Sequence, residues 1–123
     1  MRRSEFREKV VFLLYIKSLN GEFQNDEYSK EILTRFEAIN QHVAEVDEVI
    51  SNNLIGYTID RLNVVDLAIV RNAVFEMMFT QLPTEIAINE AINLTKKFSN
   101  LDDDAAKRFN NKLLDNIKDS LNK

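Results

Sequence analysis

Three guanidinium groups stand within the first seven residues, at Arg2, Arg3 and Arg7. Arginine offers a planar fork of donors that meets phosphate oxygens in pairs, and the exposed amides of a helix start add partial positive charge. If a helix begins near Ser4, Arg3 and Arg7 are four apart and share a face, with Arg2 on the arm before it. A second basic group, Lys107, Arg108 and Lys112, lies near the other end. Each phosphate that such residues neutralise adds to salt-dependent affinity. The chemistry suggested is an electrostatic grip on a polyanion. The plain alternative at both ends is a solvated helix face, although basic residues at a helix start oppose its dipole.

The chain as a whole carries a net charge of −4, which argues against unspecific binding of polyanions. The sum hides an asymmetry. Residues 1–21 carry +3, residues 22–66 carry −7, residues 67–104 carry −3 and residues 105–123 carry +3. Basic ends around an acidic middle give one face for phosphates and one for a basic partner, provided the two ends fold near each other.

Other chemistry finds little support. With no Cys, disulfides, thiolate metal sites and cysteine nucleophiles are excluded. His42 is the lone histidine and has no matched nucleophile or metal-ligand motif, so it reads as a surface residue. There is no Gly-rich phosphate loop, His-Glu metal motif or triad pattern, and neither an enzyme nor a cofactor is expected. Asp102, Asp103 and Asp104 lack the spacing and glycine of a calcium loop and read as a cap for the last helix.

The elements that must position these residues are helical. Hydrophobic residues make up 45% and charged residues 29%, while only 2 Gly and 1 Pro occur in 123 residues, too few turn formers for a many-stranded fold. One all-α domain spanning residues 1–123 is expected. The first helix runs from Ser4 to about Leu19; its segment Val10 to Ile16 is apolar all round, which predicts a central position. Asn20-Gly21 supplies a stop, with Gly in the left-handed conformation. Tyr28, Ile32, Phe36, Ile39, Val43, Val46 and Ile50 then predict one long helix capped by Asp26 and bent near Asn40. After a short turn at 58–62, Asn63 caps a helix to about Thr80 with Leu67, Val70, Val74 and Met78 as its buried stripe, Phe75 beside it. Pro83 breaks the chain, Thr84 to Phe98 forms the next helix, and the last runs from about Asp103 to Leu121. No apolar stretch approaches the roughly 20 residues of a membrane span, and a cytoplasmic protein is expected.

Four segments in order carry a resemblance. They are Arg2-Arg3 with Arg7 before an apolar helix ending in Leu14-Tyr15, then Arg61-Leu62 through Val65-Asp66-Leu67-Ala68-Ile69-Val70-Arg71 to Met78, then Pro83-Thr84-Glu85-Ile86-Ala87-Ile88-Asn89-Glu90-Ala91-Ile92, and Lys107-Arg108-Phe109-Asn110-Asn111-Lys112-Leu113-Leu114-Asp115. Together they resemble the NusB family of transcription antitermination factors. The arm here is thinner in arginine than is usual for the family, with Ser4 and Glu5 interrupting it, and Lys112 stands where the family has Gly.

The resemblance implies two three-helix bundles sharing one core. It also implies a non-catalytic RNA-binding role with the ribosomal protein NusE, on boxA RNA of ribosomal RNA transcripts and within the transcription elongation complex. A homodimer in the free state is compatible with it. By the same resemblance, Arg2, Arg3, Arg7, Lys107, Arg108, Phe109 and Lys112 would meet RNA. Tyr15, Asp60 and Asp66 would meet the partner. An exposed aromatic can stack a base, yet the spacing of Phe109 to Leu113 and Ile117 equally suits core packing. For Asp66 the local alternative is completion of a helix start. Asn89 and Glu90 read as architectural hydrogen-bonding groups. The alternative function is a helical adaptor that keeps the ribosomal-protein contact with weak or no RNA binding.

Overall fold

The computed structural model describes residues 1–99 and 104–123, which form six α-helices and two short 3-10 turns with no strand among the described residues. The helices are α1 (Arg3–Ser18), α2 (Lys30–Gln41), α3 (Val43–Asn52), α4 (Val64–Phe79), α5 (Thr84–Phe98) and α6 (Ala105–Ser120). One cluster of buried apolar side chains draws on all six. No helix of the described residues is long and apolar enough to cross a membrane.

The central element is α4 rather than α1. It packs against each of the other five helices, with α4, α5 and α6 forming one three-helix group and α1 and α2 lying on its other side. Ala68, Ile69, Val70, Ala73, Val74, Phe75 and Met77 are buried, so its burial runs round the helix, whereas the expected stripe residues Leu67 and Met78 are only half-buried. Asn63 caps α4 as expected, its Oδ1 accepting from the amides of Val65 at 2.8 Å and Asp66 at 3.3 Å. Arg71 anchors α4 to α3 by a two-pronged pair with Asp47 at 2.9 and 2.8 Å, the geometry in which an arginine–carboxylate pair is strongest.

On α1 the apolar run is covered on one side only: Val10, Val11, Leu13 and Leu14 are buried while Phe12 is 50% exposed. The stop after α1 also differs from expectation. Asn20, not Gly21, takes the left-handed conformation with φ 57°. Gly21 sits where an added Cβ would come 2.9 Å from Ile16 Cγ2, so the missing side chain is what lets its amide reach the Ile16 carbonyl, also at 2.9 Å.

The expected long helix is two. Ser29, rather than Asp26, caps α2 by accepting from the Ile32 amide at 3.3 Å, and Asp26 lies in a 3-10 turn before it. His42 separates α2 from α3 with φ −109° and ψ 13°, closing one helix and opening the next. Its ring stacks on Phe79 with centroids 4.3 Å apart, and its Nδ1 lies 3.0 Å from Glu45 Oε1, so this histidine packs at the joint. Helix α5 keeps its expected bounds, burying Ile88, Ala91, Ile92 and Thr95. Asn89 is exposed and its side chain makes no hydrogen bond among the described residues, which corrects its architectural reading. Asp102 and Asp103 lie outside the described residues. Asp104 holds the N-cap position of α6 at φ 62° without a side-chain capping bond.

Candidate nucleic-acid and protein interface

The basic arm divides into an outer and an inner part. Arg2 is exposed, 4.0 Å from Glu5, and Arg3 pairs at 2.5 Å with Glu31 at the start of α2 while its guanidinium lies 4.1 Å from the centre of the Phe6 ring. Arg7 is only 4% exposed. Its Nε donates to both Glu76 oxygens at 3.1 and 3.0 Å. The same carboxylate accepts from Arg35 at 3.2 Å and from Asn72 at 3.3 Å. This corrects the expectation that Arg7 shares an open phosphate-binding face with Arg3. A helix turn that carries an apolar face inward carries Arg7 with it, and a buried charge survives there because Glu76 answers it.

The tail residues lie elsewhere. Arg108, Phe109 and Lys112 border a cleft of about 320 Å³ with Asn53, Leu54 and Tyr57, and Lys107 is half-buried one turn before Asn111. Phe109 stacks on Tyr57 with centroids 5.8 Å apart, so a ring already covers one of its faces. Burial, and secondarily the charge of Asp66, push the Tyr57 phenol above its usual range.

The two basic ends do not join. Arg7 is fixed to Glu76 in the second half of α4, and Asn110 of α6 to Asp66 in its first turn. Ten residues of helix separate these anchors, about 15 Å along the axis. Arg3 meets α2, while Arg108 and Lys112 face the segment after α3. The expected single cationic patch is therefore replaced by two stations.

Asp66 is also reassigned. It is 9% exposed, and its carboxylate accepts from Ser99 Oγ and from Asn110 Nδ2, the latter at 3.1 Å. The amide nitrogen of Asn110 further donates to Thr95 Oγ1 at 3.0 Å, tying the ends of α4, α5 and α6 together. Asp66 is thus an internal latch and not an outward-facing charge. Asp60 remains exposed, accepting among the described residues from the nearby Thr58 hydroxyl.

Tyr15 belongs to a surface that the sequence only hinted at. It lines a groove of about 580 Å³ with Val11, Phe12, Tyr28, Val65 and Phe98, and Glu8, Lys9 and Glu27 are the charged residues of the same lining. Phe12 and Phe98 are 50% and 45% exposed. A contiguous apolar patch of this kind marks an interaction site, whether for a protein, a ligand or a membrane. The signal in the sequence was the run Val10 to Ile16, too apolar all round for the cover it receives.

A family model described as the NusB family matches residues 5–119. The chain is 39% identical over 99 residues to the transcription antitermination protein NusB of Agathobacter rectalis, spanning 78% of this chain and 76% of that one. Its fold matches NusB of T. maritima with a TM-score of 0.83 at 25% identity, covering 97% of this chain and 92% of that one. A chain from the crystal structure of antitermination factors NusB and NusE in complex with double-stranded RNA matches with a TM-score of 0.80 at 23% identity, over 96% of each chain, a likeness of fold.

Proposed function

The chain belongs to the NusB family, and from that premise we propose that it is an RNA-binding transcription antitermination factor that takes up boxA-type RNA of ribosomal RNA transcripts together with the ribosomal protein NusE. The observation that carries this reading is the family match over residues 5–119. The assembly of NusB, NusE and double-stranded RNA formed with a chain of this fold supports both partners.

On this reading Arg2 and Arg3 on the outer arm form one RNA station, and Lys107, Arg108 and Lys112, with the edge of Phe109, form the other. The groove of Phe12, Tyr15, Tyr28 and Phe98 takes the protein partner. Its aromatic floor supplies burial, while Glu27 in its lining suits a basic protein and fixes its approach, Glu8 being already paired with Lys97 at 3.0 Å. Asp60 adds an exposed carboxylate for the same purpose. Binding at either surface raises the effective concentration of the other ligand, so the two strengthen each other within the transcription elongation complex. In the free state a second copy of the chain covers the groove. The reading needs no catalytic step and puts the work in the cytoplasm.

An anisotropy titration of labelled boxA RNA, with and without the ribosomal protein, tests it. Binding that tightens when the protein is added and weakens in an Arg2→Ala, Arg3→Ala double variant is the expected result. RNA affinity that is unmeasurable with both partners present overturns the reading.

A further inference from the structure

We propose that Lys97 is a displaceable placeholder at one end of the aromatic groove: it holds the Glu8 carboxylate in the free chain and yields it, with the Phe98 ring, to an arginine side chain of the protein partner. The inference rests on the reading of this groove as the partner's seat. It adds the chemistry by which one basic side chain is recognised there.

Three observations lead to it. Glu8, Val11, Phe12 and Tyr15 fall on one stripe of α1, so the carboxylate continues the apolar lining toward the start of the helix. Lys97, in the last turn of α5, stands outside that lining and donates to both Glu8 oxygens, at 3.2 and 3.0 Å. The same ammonium lies 5.2 Å from the centre of the ring of Phe98, which does line the groove. One cation thus occupies a carboxylate and an aromatic ring that both belong to the binding surface.

The contact is no by-product of helix packing, since α1 and α5 each pack on α4 rather than on each other. The Lys97 and Glu8 side chains are 60% and 35% exposed, and an ion pair this open exchanges easily. Under a docked partner the carboxylate loses its water, so the group that meets it must be a cation. Arginine suits the place best. Its planar fork reaches both oxygens and its flat face stacks on the ring, whereas lysine is a point charge that regains strong hydration when released. Exchanging one cation for another leaves the charge at this end of the groove unchanged, so the gain lies in geometry.

The test is a calorimetric titration of the full chain with the ribosomal protein at low ionic strength. Lys97→Gln should tighten binding about threefold, and by more than Lys96→Gln, which removes a neighbouring charge alone. Lys97→Arg should weaken binding about threefold, because it grips Glu8 with the fork meant for the partner. Both effects should vanish when Glu8→Gln is added. A Lys97→Gln affinity equal to that of Lys96→Gln, or effects that survive in the Glu8→Gln background, overturns the proposal. So does the reverse pattern, Lys97→Gln weakening and Lys97→Arg preserving affinity, which is that of a structural brace. Phe12→Ala weakening the complex while the Lys97 variants change nothing removes the placeholder and leaves the groove as the partner's seat. Unchanged affinity in Phe12→Ala and Tyr15→Ala removes both.

Discussion

The Asp66 carboxylate near the start of α4 accepts a hydrogen bond at 3.1 Å from the side-chain amide of Asn110, 44 residues later in α6. Both groups are buried, and Thr95 of α5 shares the same amide nitrogen. Two helix starts and one helix end are therefore held by a carboxylate that reads, from its local sequence, like a surface charge.

Replacing Asp66 with Ala should lower stability by about 1–3 kcal/mol, since Asn110 and Ser99 lose a buried charged acceptor. Urea denaturation measures this. Affinity for the ribosomal protein, compared under conditions where both proteins are folded, should be unchanged. A selective loss of partner affinity at full stability would return Asp66 to the interface.

The outer and inner arginines should separate cleanly. Arg2→Ala and Arg3→Ala should change stability by no more than about 0.5 kcal/mol while weakening RNA binding and flattening its salt dependence. Arg7→Ala should cost about 3 kcal/mol, because removing one member of a buried pair strands the other, partly compensated here by Arg35. Denaturation midpoints and RNA titrations on the same three variants distinguish the two behaviours.

At the aromatic groove, Phe12→Ala should leave the denaturation midpoint nearly unmoved, since half of that ring is already in water. Affinity for the ribosomal protein should fall by about 2 kcal/mol, the scale of an interface anchor. Calorimetric titration reads it, and unchanged affinity in both Phe12→Ala and Tyr15→Ala would show that the partner docks elsewhere.

The Tyr57 phenol titrates above the usual value of 10.0, first through burial and then through the charge of Asp66. Its folded-state pKa exceeds its unfolded one, so its share of stability is complete below the unfolded value and is lost as pH rises through the folded value. An ultraviolet titration should show this late phenol in the parent chain, none in Tyr57→Phe, and a smaller upward displacement in Asp66→Asn. Removal of the charge with no change at all would mean that burial alone sets the value.

Local signals were readable where the determinant is local. Asn63 as a cap, α5 from Thr84 to Phe98 and its buried face follow from neighbouring residues only. The fates of Arg7 and Asp66 were not readable, because their partners lie 69 and 44 residues away and nothing in the spacing announces them. Two clues were present. Glu76 falls between the buried Phe75 and Met77 of α4, and Asn110 falls on the stripe of Leu113, Leu114 and Ile117; a polar residue on a buried stripe marks a partner elsewhere. The split at His42 escaped because periodicity runs on across a joint that only ring stacking on Phe79 reveals.

Helix α1 holds Arg3 in its first turn and Tyr15 in its last, 12 residues or about 18 Å apart on one uninterrupted rod. That rod works as a ruler between whatever occupies its two ends. Its calibration is set by Arg7, Val10 and Leu14 bedded against α4, so the gap between a bound strand and a bound protein would be a fixed length rather than an adjustable one.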